Sequence, residues 1–256
     1  MLLTADIGNT NITIGLYEDE TLSYTARLHT DRKKTADEYA VDLYAMSRLN
    51  HFVAQDIDGA IVSSVVPETT GAFVRAVNLF CGINAMILGP GIKSGLNIRI
   101  DNPAQLGADL VAGAVAAIHG FSLPCVVIDL GTATKLSVID KERNYCGCSI
   151  SPGVRISLEA LSDSASQLPA ISFDVPDCQP YGKNTITSMQ AGIVLGTASM
   201  LDGMCDRIEN ALGEKIQSVI ITGGHAPGII KHCVRPHTFV PNLLLDGLRI
   251  IYYKNK

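Results

Sequence analysis

The chain has 256 residues, of which 47% are hydrophobic and 18% charged, and its formal net charge is −5. This composition excludes intrinsic disorder as the main state, and a chain of this length can bury a core without disulfides or a metal. With 20 Lys and Arg against 25 Asp and Glu, we expect no nucleic-acid partner, and the basic cluster 32–34 is interpreted as a solvated loop.

Neither a membrane segment nor a disulfide framework is expected. The longest apolar stretch, 106–121, contains Asp109 and His119 and is too short and too polar to span a bilayer. Residues 1–11 carry no basic region before Asp6, so they do not resemble a signal peptide. The seven cysteines form no Cys-x-x-Cys pair. We therefore predict a cytoplasmic protein with reduced, mostly buried thiols and no cysteine metal site.

Hydrophobic periodicity predicts alternating strands and helices along the chain. A capping box of Thr35 and Glu38 marks the start of the first helix, and Pro103 precedes the third. In chain order the elements are a hairpin at 2–17, a helix at 35–50, a strand at 60–65, helices at 68–80 and 105–119, a hairpin at 126–140, a helix at 154–165, a loop at 168–184, a helix at 188–212, a strand at 218–222 and a helix at 243–253.

The two hairpins repeat one pattern. Each has an apolar strand, an Asp-x-Gly turn with small polar residues, and a second strand that alternates. Asp6 and Asp129 occupy the same place in the two copies and are 123 residues apart, close to half the chain. Chance similarity of two β-hairpins is the competing interpretation. The repeat predicts two related domains, at 1–118 and 119–256.

The hairpin turns have the composition of phosphate-binding loops. A glycine lets the chain turn tightly and leaves backbone N–H groups exposed, and hydroxyl or amide side chains add short donors. An aspartate would repel a phosphate unless a cation lies between them. A glycine pair after the strand at 218–222 would let a ribose or ring approach the backbone, although Gly-Gly is also an ordinary turn. These residues are Asp6, Gly8, Asn9 and Thr10, then Asp129, Gly131, Thr132 and Thr134, then Gly223 and Gly224.

Ten short segments together, in their order and spacing, resemble the type III pantothenate kinases, within the superfamily that also holds actin, Hsp70 and the sugar kinases. They are Asp6–Thr10, Asp31–Glu38, Ser63–Pro67, Asp101–Pro103 with Gly107–Asp109, Asp129–Thr134, Ser151–Gly153, Gly182–Thr185, Met189–Gly192 and Thr222–Gly224. The resemblance implies an α/β protein of two related actin-like (ribonuclease H-like) domains. Each would be a mixed sheet flanked by helices, with the nucleotide cleft between them.

The resemblance also implies an activity. Family members phosphorylate pantothenate with ATP to 4'-phosphopantothenate, the first step of coenzyme A biosynthesis. ATP, Mg²⁺ and a monovalent cation, K⁺ or NH₄⁺, would be required. The family is homodimeric, and the partner subunit helps to wall the substrate site.

Residue roles follow from the same resemblance. Asp109 would be the general base, Asp6 would hold the Mg²⁺ shell, and Asp129 would bind K⁺. The ATP-binding residues would be Asp6, Ile7, Gly8, Asn9, Thr10, Asn11, Ile12, Thr13, Thr132, Gly223 and Gly224. The substrate-binding residues would be Ile100, Gly107, Ala108, Asp109, Leu110 and Thr185. The residues alone also allow a purely structural interpretation of each position. Asp109 could be a carboxylate that stabilises a helix and does nothing else, Asp129 could be a turn residue, and Thr185 could be a helix cap.

Four positions depart from the family pattern. Leu110 stands where an arginine nearly always follows Gly-Ala-Asp, and Ile100 stands where many members have a hydroxyl-bearing aromatic residue. Lys135 stands where Thr is usual, and Gly147-Cys148 replaces a Gly-Gly pair. A guanidinium at position 110 could bind a carboxylate through two parallel bonds, whereas leucine cannot.

The departures leave alternatives open. If pantothenate is the acceptor, another cation must pair with its carboxylate, and Lys135, Lys183 and Arg155 are the candidates. A second hypothesis is a kinase of the same fold that acts on a different, less anionic small alcohol. A third is a non-catalytic, nucleotide-binding regulator, against which Asp6, Asp109 and Asp129 all argue.

Overall fold

Two units, each built on one β-sheet, make up the computed structural model, which describes residues 1–165, 167–175 and 177–256. The first unit contains residues 1–96, 102–116 and 242–256, and the second contains residues 97–101 and 117–241. The boundary between residues 118 and 119 concerns the repeated halves of the sequence and stays a prediction.

The first unit is a five-stranded mixed sheet flanked by helices. Strands β1 to β3 are antiparallel neighbours, while β1, β4 and β5 run parallel, in the order β3-β2-β1-β4-β5. The strands are β1 (Leu2–Ile7), β2 (Asn11–Glu18), β3 (Thr21–His29), β4 (Gly59–Ser64) and β5 (Met86–Ile87). The helices are α1 (Ala36–Asn50), α2 (Pro67–Cys81), α3 (Ala108–Gly120), which continues into the second unit, and α8 (Leu243–Asn255).

The two faces of this first sheet bury different helices. One face packs α1 and α2 in a core that includes Leu3, Tyr39 and Phe73. The opposite face packs α3 and α8 in a second core that includes Leu2 and Ile61. Because side chains alternate along a strand, Asp6 lies on the same face as Leu2, which is the face that α3 covers.

The second unit is a six-stranded sheet with the order β11-β10-β7-β8-β9-β6. Its strands are β6 (Asn97–Ile98), β7 (Cys125–Leu130), β8 (Ala133–Ile139), β9 (Asn144–Pro152), β10 (Ser218–Thr222) and β11 (Thr238–Phe239). Its helices are α4 (Val154–Ser164), α5 (Thr185–Gln190), α6 (Gly196–Leu212) and α7 (Ala226–Ile230), and a π-helical turn at Ala191–Leu195 joins α5 to α6. Its core packs Val126, Ile128 and Ile221 of the sheet against Val194 and Leu201.

The two sheets repeat one topology. The order β3-β2-β1-β4-β5 in the first unit corresponds to β9-β8-β7-β10-β11 in the second, with the same parallel and antiparallel pairs. The strands that carry the aspartates, Leu2–Ile7 and Cys125–Leu130, have the predicted offset of 123 residues at both ends. The predicted hairpin repeat and the predicted α/β class are therefore confirmed.

Two predicted helix starts were wrong by three residues. The third helix begins at Ala108 rather than at 105, because Pro103–Gln105 forms a 3₁₀ turn capped by the Asn102 side chain. The helix predicted from 188 begins at Thr185, because the Asn184 side chain accepts the Thr187 N–H. The other predicted helices and strands are present within about two residues of their predicted bounds, and the Thr35 capping box is confirmed. Residue 176 of the predicted loop at 168–184 lies outside the described residues.

The seven cysteines are free thiols, but fewer are buried than predicted. Cys125 and Cys205 are buried, Cys148 is exposed and the other four are half-buried. Burial raises the pKa of Cys125 to about 12 and that of Cys205 to about 11. These two thiols are therefore protonated and unreactive at neutral pH.

Within residues 1–165, 167–175 and 177–256, no helix is long and apolar enough to cross a membrane.

The close crossing of α3 and α8 can be tested at Gly247. A Cβ atom at this position would lie 1.9 Å from the backbone oxygen of Ala112, so alanine would push the two helices apart. We expect Gly247→Ala to lower the free energy of unfolding by about 2–4 kcal/mol, measured by urea denaturation. Gly71→Ala is the matched control, since a Cβ there meets no atom within 4 Å. An unchanged stability of Gly247→Ala would contradict the close helix crossing.

Candidate functional site

The first predicted phosphate loop is the turn between β1 and β2, and backbone hydrogen bonds hold its shape. The Gly8 N–H donates to the Asn11 oxygen at 3.0 Å. The Thr30 hydroxyl donates to the Gly8 oxygen at 2.7 Å, and the Thr30 N–H donates to the Thr10 oxygen at 3.0 Å. Thr30, which was not predicted from the sequence, therefore connects the loop to the end of β3 through two hydrogen bonds.

A guanidinium group lies beside this loop. Arg32 donates from Nη2 to the Asn9 side-chain oxygen at 3.2 Å, and both residues are exposed. In the cluster at 32–34, Arg32 and Lys33 are exposed as predicted, whereas Lys34 is half-buried and paired with Asp42. Arg32 also adds positive charge to a turn that is predicted to hold phosphate. Such a charge favours anion binding.

Oxygen-bearing side chains surround Asp6 in the first sheet. Asp6 pairs with Thr13 of β2 and with Ser63 of β4. Because paired residues project from the same face of a sheet, the three side chains lie together. Ser63 is fully buried, and its hydroxyl has no hydrogen-bond partner in the described part of the chain. A carboxylate with neighbouring oxygen donors suits Mg²⁺, so this set fits the predicted Mg²⁺ shell.

Asp109, the predicted general base, lies in the first turn of α3 and is half-buried. Its Oδ1 accepts the Leu110 N–H at 2.8 Å. A Cβ atom at Gly107 would lie 2.5 Å from the same oxygen, so only glycine leaves room for the carboxylate in this position. A carboxylate oxygen in this place can accept a proton from an alcohol within hydrogen-bond reach.

The Asp109 turn contacts the end of the strands that carry Asp6. The Val65 N–H donates to the Ile7 oxygen at 3.0 Å, which extends the pairing of β1 and β4. A Cγ1 atom of Val65 lies 3.9 Å from the Cβ position of Gly107. The structure therefore places the candidate base and the first loop at one end of the first unit, on the sheet face that α3 covers.

The second predicted loop is the Gly131–Thr132 turn between β7 and β8, and two further segments form hydrogen bonds with it. The Gly153 N–H donates to the Thr132 oxygen at 3.2 Å. The His225 N–H donates to the Leu130 oxygen at 3.0 Å, and the His225 Nδ1 lies 3.1 Å from the Gly131 oxygen. This arrangement brings the predicted residues Thr132 and Gly223 together, with Gly153 and His225 as neighbours that sequence reasoning did not select.

Glycine is required at two of these contacts. A Cβ atom at Gly153 would lie 2.3 Å from the Thr132 oxygen. At Gly223, φ is +100° and a Cβ atom would lie 2.6 Å from the backbone of Leu130. The signal for Gly153 was its place in the Ser-Pro-Gly segment, and the signal for His225 was its place directly after the glycine pair.

Asp129, the predicted K⁺ ligand, is paired within the second unit. It lies opposite Lys135 in the antiparallel pair of β7 and β8. The Lys135 ammonium is 2.7 Å from Asp129 Oδ2, and each side chain is 17% exposed. The carboxylate that would take a monovalent cation is therefore already in contact with a positive group of the chain.

The predicted acceptor residues are distributed over both units. Gly107 to Leu110 belong to the first unit, while Ile100 and Thr185 belong to the second. Leu110 and Ile100 are half-buried, and Thr185 is exposed in the first turn of α5. Because Asn184 caps that helix, Thr185 does not serve as its cap.

The second unit has an open pocket of about 440 Å³ that the sequence did not predict. Its lining comes from the predicted loop and the start of α5. The lining residues are Asp177, Cys178, Gln179, Tyr181, Gly182, Lys183, Asn184, Thr187 and Gln190. Amide, hydroxyl and ammonium groups in one concave surface suit a small polar ligand.

Similarity to solved structures defines the fold class. Component A of (R)-2-hydroxyglutaryl-CoA dehydratase from Acidaminococcus fermentans matches with a TM-score of 0.57 at 14% identity, covering 99% of this chain and 97% of the other. ROK hexokinase from Thermus thermophilus matches with a TM-score of 0.52 at 13% identity, covering 100% and 99%. With its repeated sheets and turn aspartates, the protein is thus an α/β protein of the actin-like ATPase and sugar-kinase fold.

Sequence similarity narrows this class to one family. Type III pantothenate kinase from Halalkalibacterium halodurans is 44% identical over 255 residues, and that from Citrifermentans bemidjiense is 40% identical over 256, each covering 100% of both chains. The family model described as type III pantothenate kinase matches residues 2–207. The chain belongs to the type III pantothenate kinase family, as the sequence motifs had indicated.

Proposed function

We propose that this chain transfers the γ-phosphoryl group of ATP to the primary hydroxyl of pantothenate in the cytoplasm, the first step of coenzyme A biosynthesis. Family membership supports the reaction. The structural observation that carries the proposal is Asp109, whose half-buried carboxylate is held at a helix N-terminus over Gly107. A carboxylate so placed is suited to accept the proton of an alcohol.

In this mechanism Asp109 takes the hydroxyl proton while the hydroxyl oxygen forms a bond to the γ-phosphorus. The bond from that phosphorus to the β,γ-bridging oxygen breaks, and ADP leaves. Phosphoryl transfer asks the protein mainly for positioning and charge stabilisation. We assign the phosphates to residues 6–13 and Thr132, and the nucleoside end to Gly223 and Gly224. Mg²⁺ held at Asp6 would neutralise phosphate charge.

The acceptor carboxylate needs a cation, and the contacts of the three candidates support one of them. Lys135 is paired with Asp129, and Arg155 donates from Nε to Glu159 Oε1 at 2.7 Å. Lys183 forms no ion pair among the described residues and lines the 440 Å³ pocket. We therefore assign the carboxylate of pantothenate to Lys183.

This assignment predicts a selective loss of acceptor binding. We expect Lys183→Ala to raise the KM for pantothenate about tenfold, as for loss of one charge-assisted hydrogen bond, with little change in kcat. Steady-state kinetics with pantothenate as the varied substrate measure the effect. Arg155→Ala removes a paired cation of the same unit and should leave the KM unchanged. Equal kinetics of the two variants would exclude Lys183 as the carboxylate partner.

One observation favours a second candidate function. Leu110 and Ile100 place apolar side chains at two positions where the family pattern has polar groups, so a less anionic small alcohol remains the alternative acceptor. A non-catalytic, nucleotide-binding regulator is the third possibility. Purified protein with ATP, Mg²⁺ and a panel of small alcohols separates the three. Turnover on pantothenate supports the proposal, turnover on another alcohol alone selects the second, and ATP binding without turnover selects the third.

The resemblance to the family also leads us to propose a homodimer. Exposed apolar side chains on adjacent elements of the second unit support it. Ile150 of β9 is 67% exposed, and Ile156 and Leu161 of α4 are 40% and 38% exposed. Large apolar groups at a surface are typical of a contact between subunits.

A further inference from the structure

We propose that the ammonium group of Lys135 takes the place of the monovalent cation at Asp129, so that phosphoryl transfer by this chain requires neither K⁺ nor NH₄⁺. This inference rests on the proposed kinase function. Its evidence, however, is the ion pair between β7 and β8, which is independent of the acceptor. The family resemblance assigns a free cation to Asp129, and the residues present do not fit one.

The geometry of the pair is set by the sheet. Asp129 and Lys135 are directly opposite in the β7–β8 register, so their side chains project from the same face. The Lys135 Nζ lies 2.7 Å from Asp129 Oδ2. Since each side chain is only 17% exposed, water and salt screen the attraction less than at an open surface.

A second cation at the same carboxylate would be repelled. K⁺ within contact distance of Asp129 would lie a few ångströms from the Lys135 ammonium, and like charges at that separation are strongly unfavourable in a partly buried site. The single negative charge of Asp129 is already balanced by Lys135. The site as built therefore disfavours an additional monovalent ion.

The ion pair of Lys135 and Asp129 also lies beside the second predicted phosphate loop. Asp129 Oδ1 lies 3.4 Å from the Cβ position of Gly131, so the carboxylate borders the second loop. We assign the nucleotide phosphates to Thr132 in that loop. A fixed positive charge beside this loop stabilises phosphate in the same way as a bound ion, without having to be captured from solution.

The first hairpin provides an internal comparison. There the residue opposite the aspartate is Thr13, which faces Asp6 and carries no charge. The second turn is one residue shorter, and Lys135 occupies the corresponding place opposite Asp129. The family resemblance implies Thr at position 135. In this chain the residue that faces Asp129 is instead a cation.

Kinetics in defined salts test the proposal. ADP release is measured with ATP, Mg²⁺ and pantothenate in buffer whose only monovalent cation is tetramethylammonium, and then with KCl at matched ionic strength. We expect the wild-type rate to change by less than about twofold. Lys135→Ala should lose at least about tenfold in tetramethylammonium and recover in KCl, because a free ion can then bind Asp129. Lys141→Ala, which removes an exposed lysine just after β8, should behave as wild type.

Thermal unfolding without substrates gives a second readout that does not depend on turnover. KCl should raise the Tm of Lys135→Ala relative to tetramethylammonium chloride and leave the wild-type Tm unchanged. A wild-type rate or Tm that depends on K⁺ overturns the proposal, as does a Lys135→Ala variant indifferent to K⁺ in both measurements. If wild type shows no turnover in either salt, the kinase function fails, and the Tm comparison alone decides whether Lys135 replaces the ion.

Discussion

Asp109→Asn is expected to lower kcat for pantothenate phosphorylation by about 10²–10⁴-fold, the range for loss of a general base. Asparagine has nearly the same volume, and its side-chain oxygen can still accept the Leu110 N–H that Asp109 Oδ1 accepts at 2.8 Å. What it lacks is a basic oxygen to take the hydroxyl proton. The KM for ATP should change little, because the nucleotide phosphates are assigned to other residues. Steady-state ADP release measures both constants.

A matched control separates catalysis from helix stability. Asp37 is the second residue of α1, as Asp109 is the second residue of α3, and it is exposed. Asp37→Asn removes a carboxylate from an equivalent helix position, so it should alter the Tm slightly and kcat not at all. If Asp109→Asn retained a kcat within about threefold of wild type, Asp109 would only stabilise α3, which is the alternative that the residue pattern left open.

Much of the fold could be predicted because its signals are local. The Asp-x-Gly turns and alternating strands identified both hairpins, and the offset between Asp6 and Asp129 predicted the repeat that the two sheets display. Strands were missed for two different reasons. β5, β6 and β11 have two residues each, which is too short to show a period. β3 alternates regularly between exposed and half-buried residues, so its strand signal was present in the sequence and was overlooked.

The contacts within the site depend on register, which the linear sequence conceals. At the offset of 123 residues, Lys135 aligns with Ile12, because the second turn is one residue shorter than the first. Strand pairing instead places Lys135 where Thr13 lies in the first hairpin, opposite the aspartate. The sequence could show that Lys135 departs from the family pattern, but only the register shows that its ammonium meets Asp129.

The structural reason for each glycine in the site is likewise hidden in the linear sequence. The sequence predicted Gly223 and Gly107 as site residues, yet a glycine in a motif has several possible reasons. The structure supplies a different reason for each one. Gly107 leaves space for the Asp109 carboxylate, whereas Gly223 combines a left-handed backbone with contact to another strand. Substitutions at these two positions should therefore have different effects. A substitution at Gly107 should displace the Asp109 carboxylate, whereas one at Gly223 should destabilise the fold.

Gly223→Ala is expected to be among the most destabilising single substitutions in the second unit. Its φ of +100° is strained for any residue with a Cβ, and that Cβ would lie 2.6 Å from the nitrogen, carbon and oxygen of Leu130. Because Leu130 ends β7 directly before the second loop, backbone must move to relieve the overlap. We expect a loss of about 3–5 kcal/mol in the free energy of unfolding, the sum of backbone strain and overpacking. Urea denaturation measures it.

Gly203→Ala is the matched control, since Gly203 lies in α6 of the same unit and a Cβ there meets no atom within 4 Å. Alanine in that helix should be neutral or stabilising by up to about 1 kcal/mol. Where Gly223→Ala remains folded at low temperature, its affinity for ATP should fall as well, because displacement of Leu130 moves the Gly131–Thr132 turn that we assign to the phosphates. A variant with wild-type stability would show that the chain accommodates a Cβ at 223. A destabilised variant with unchanged ATP affinity would instead separate this glycine from the nucleotide site.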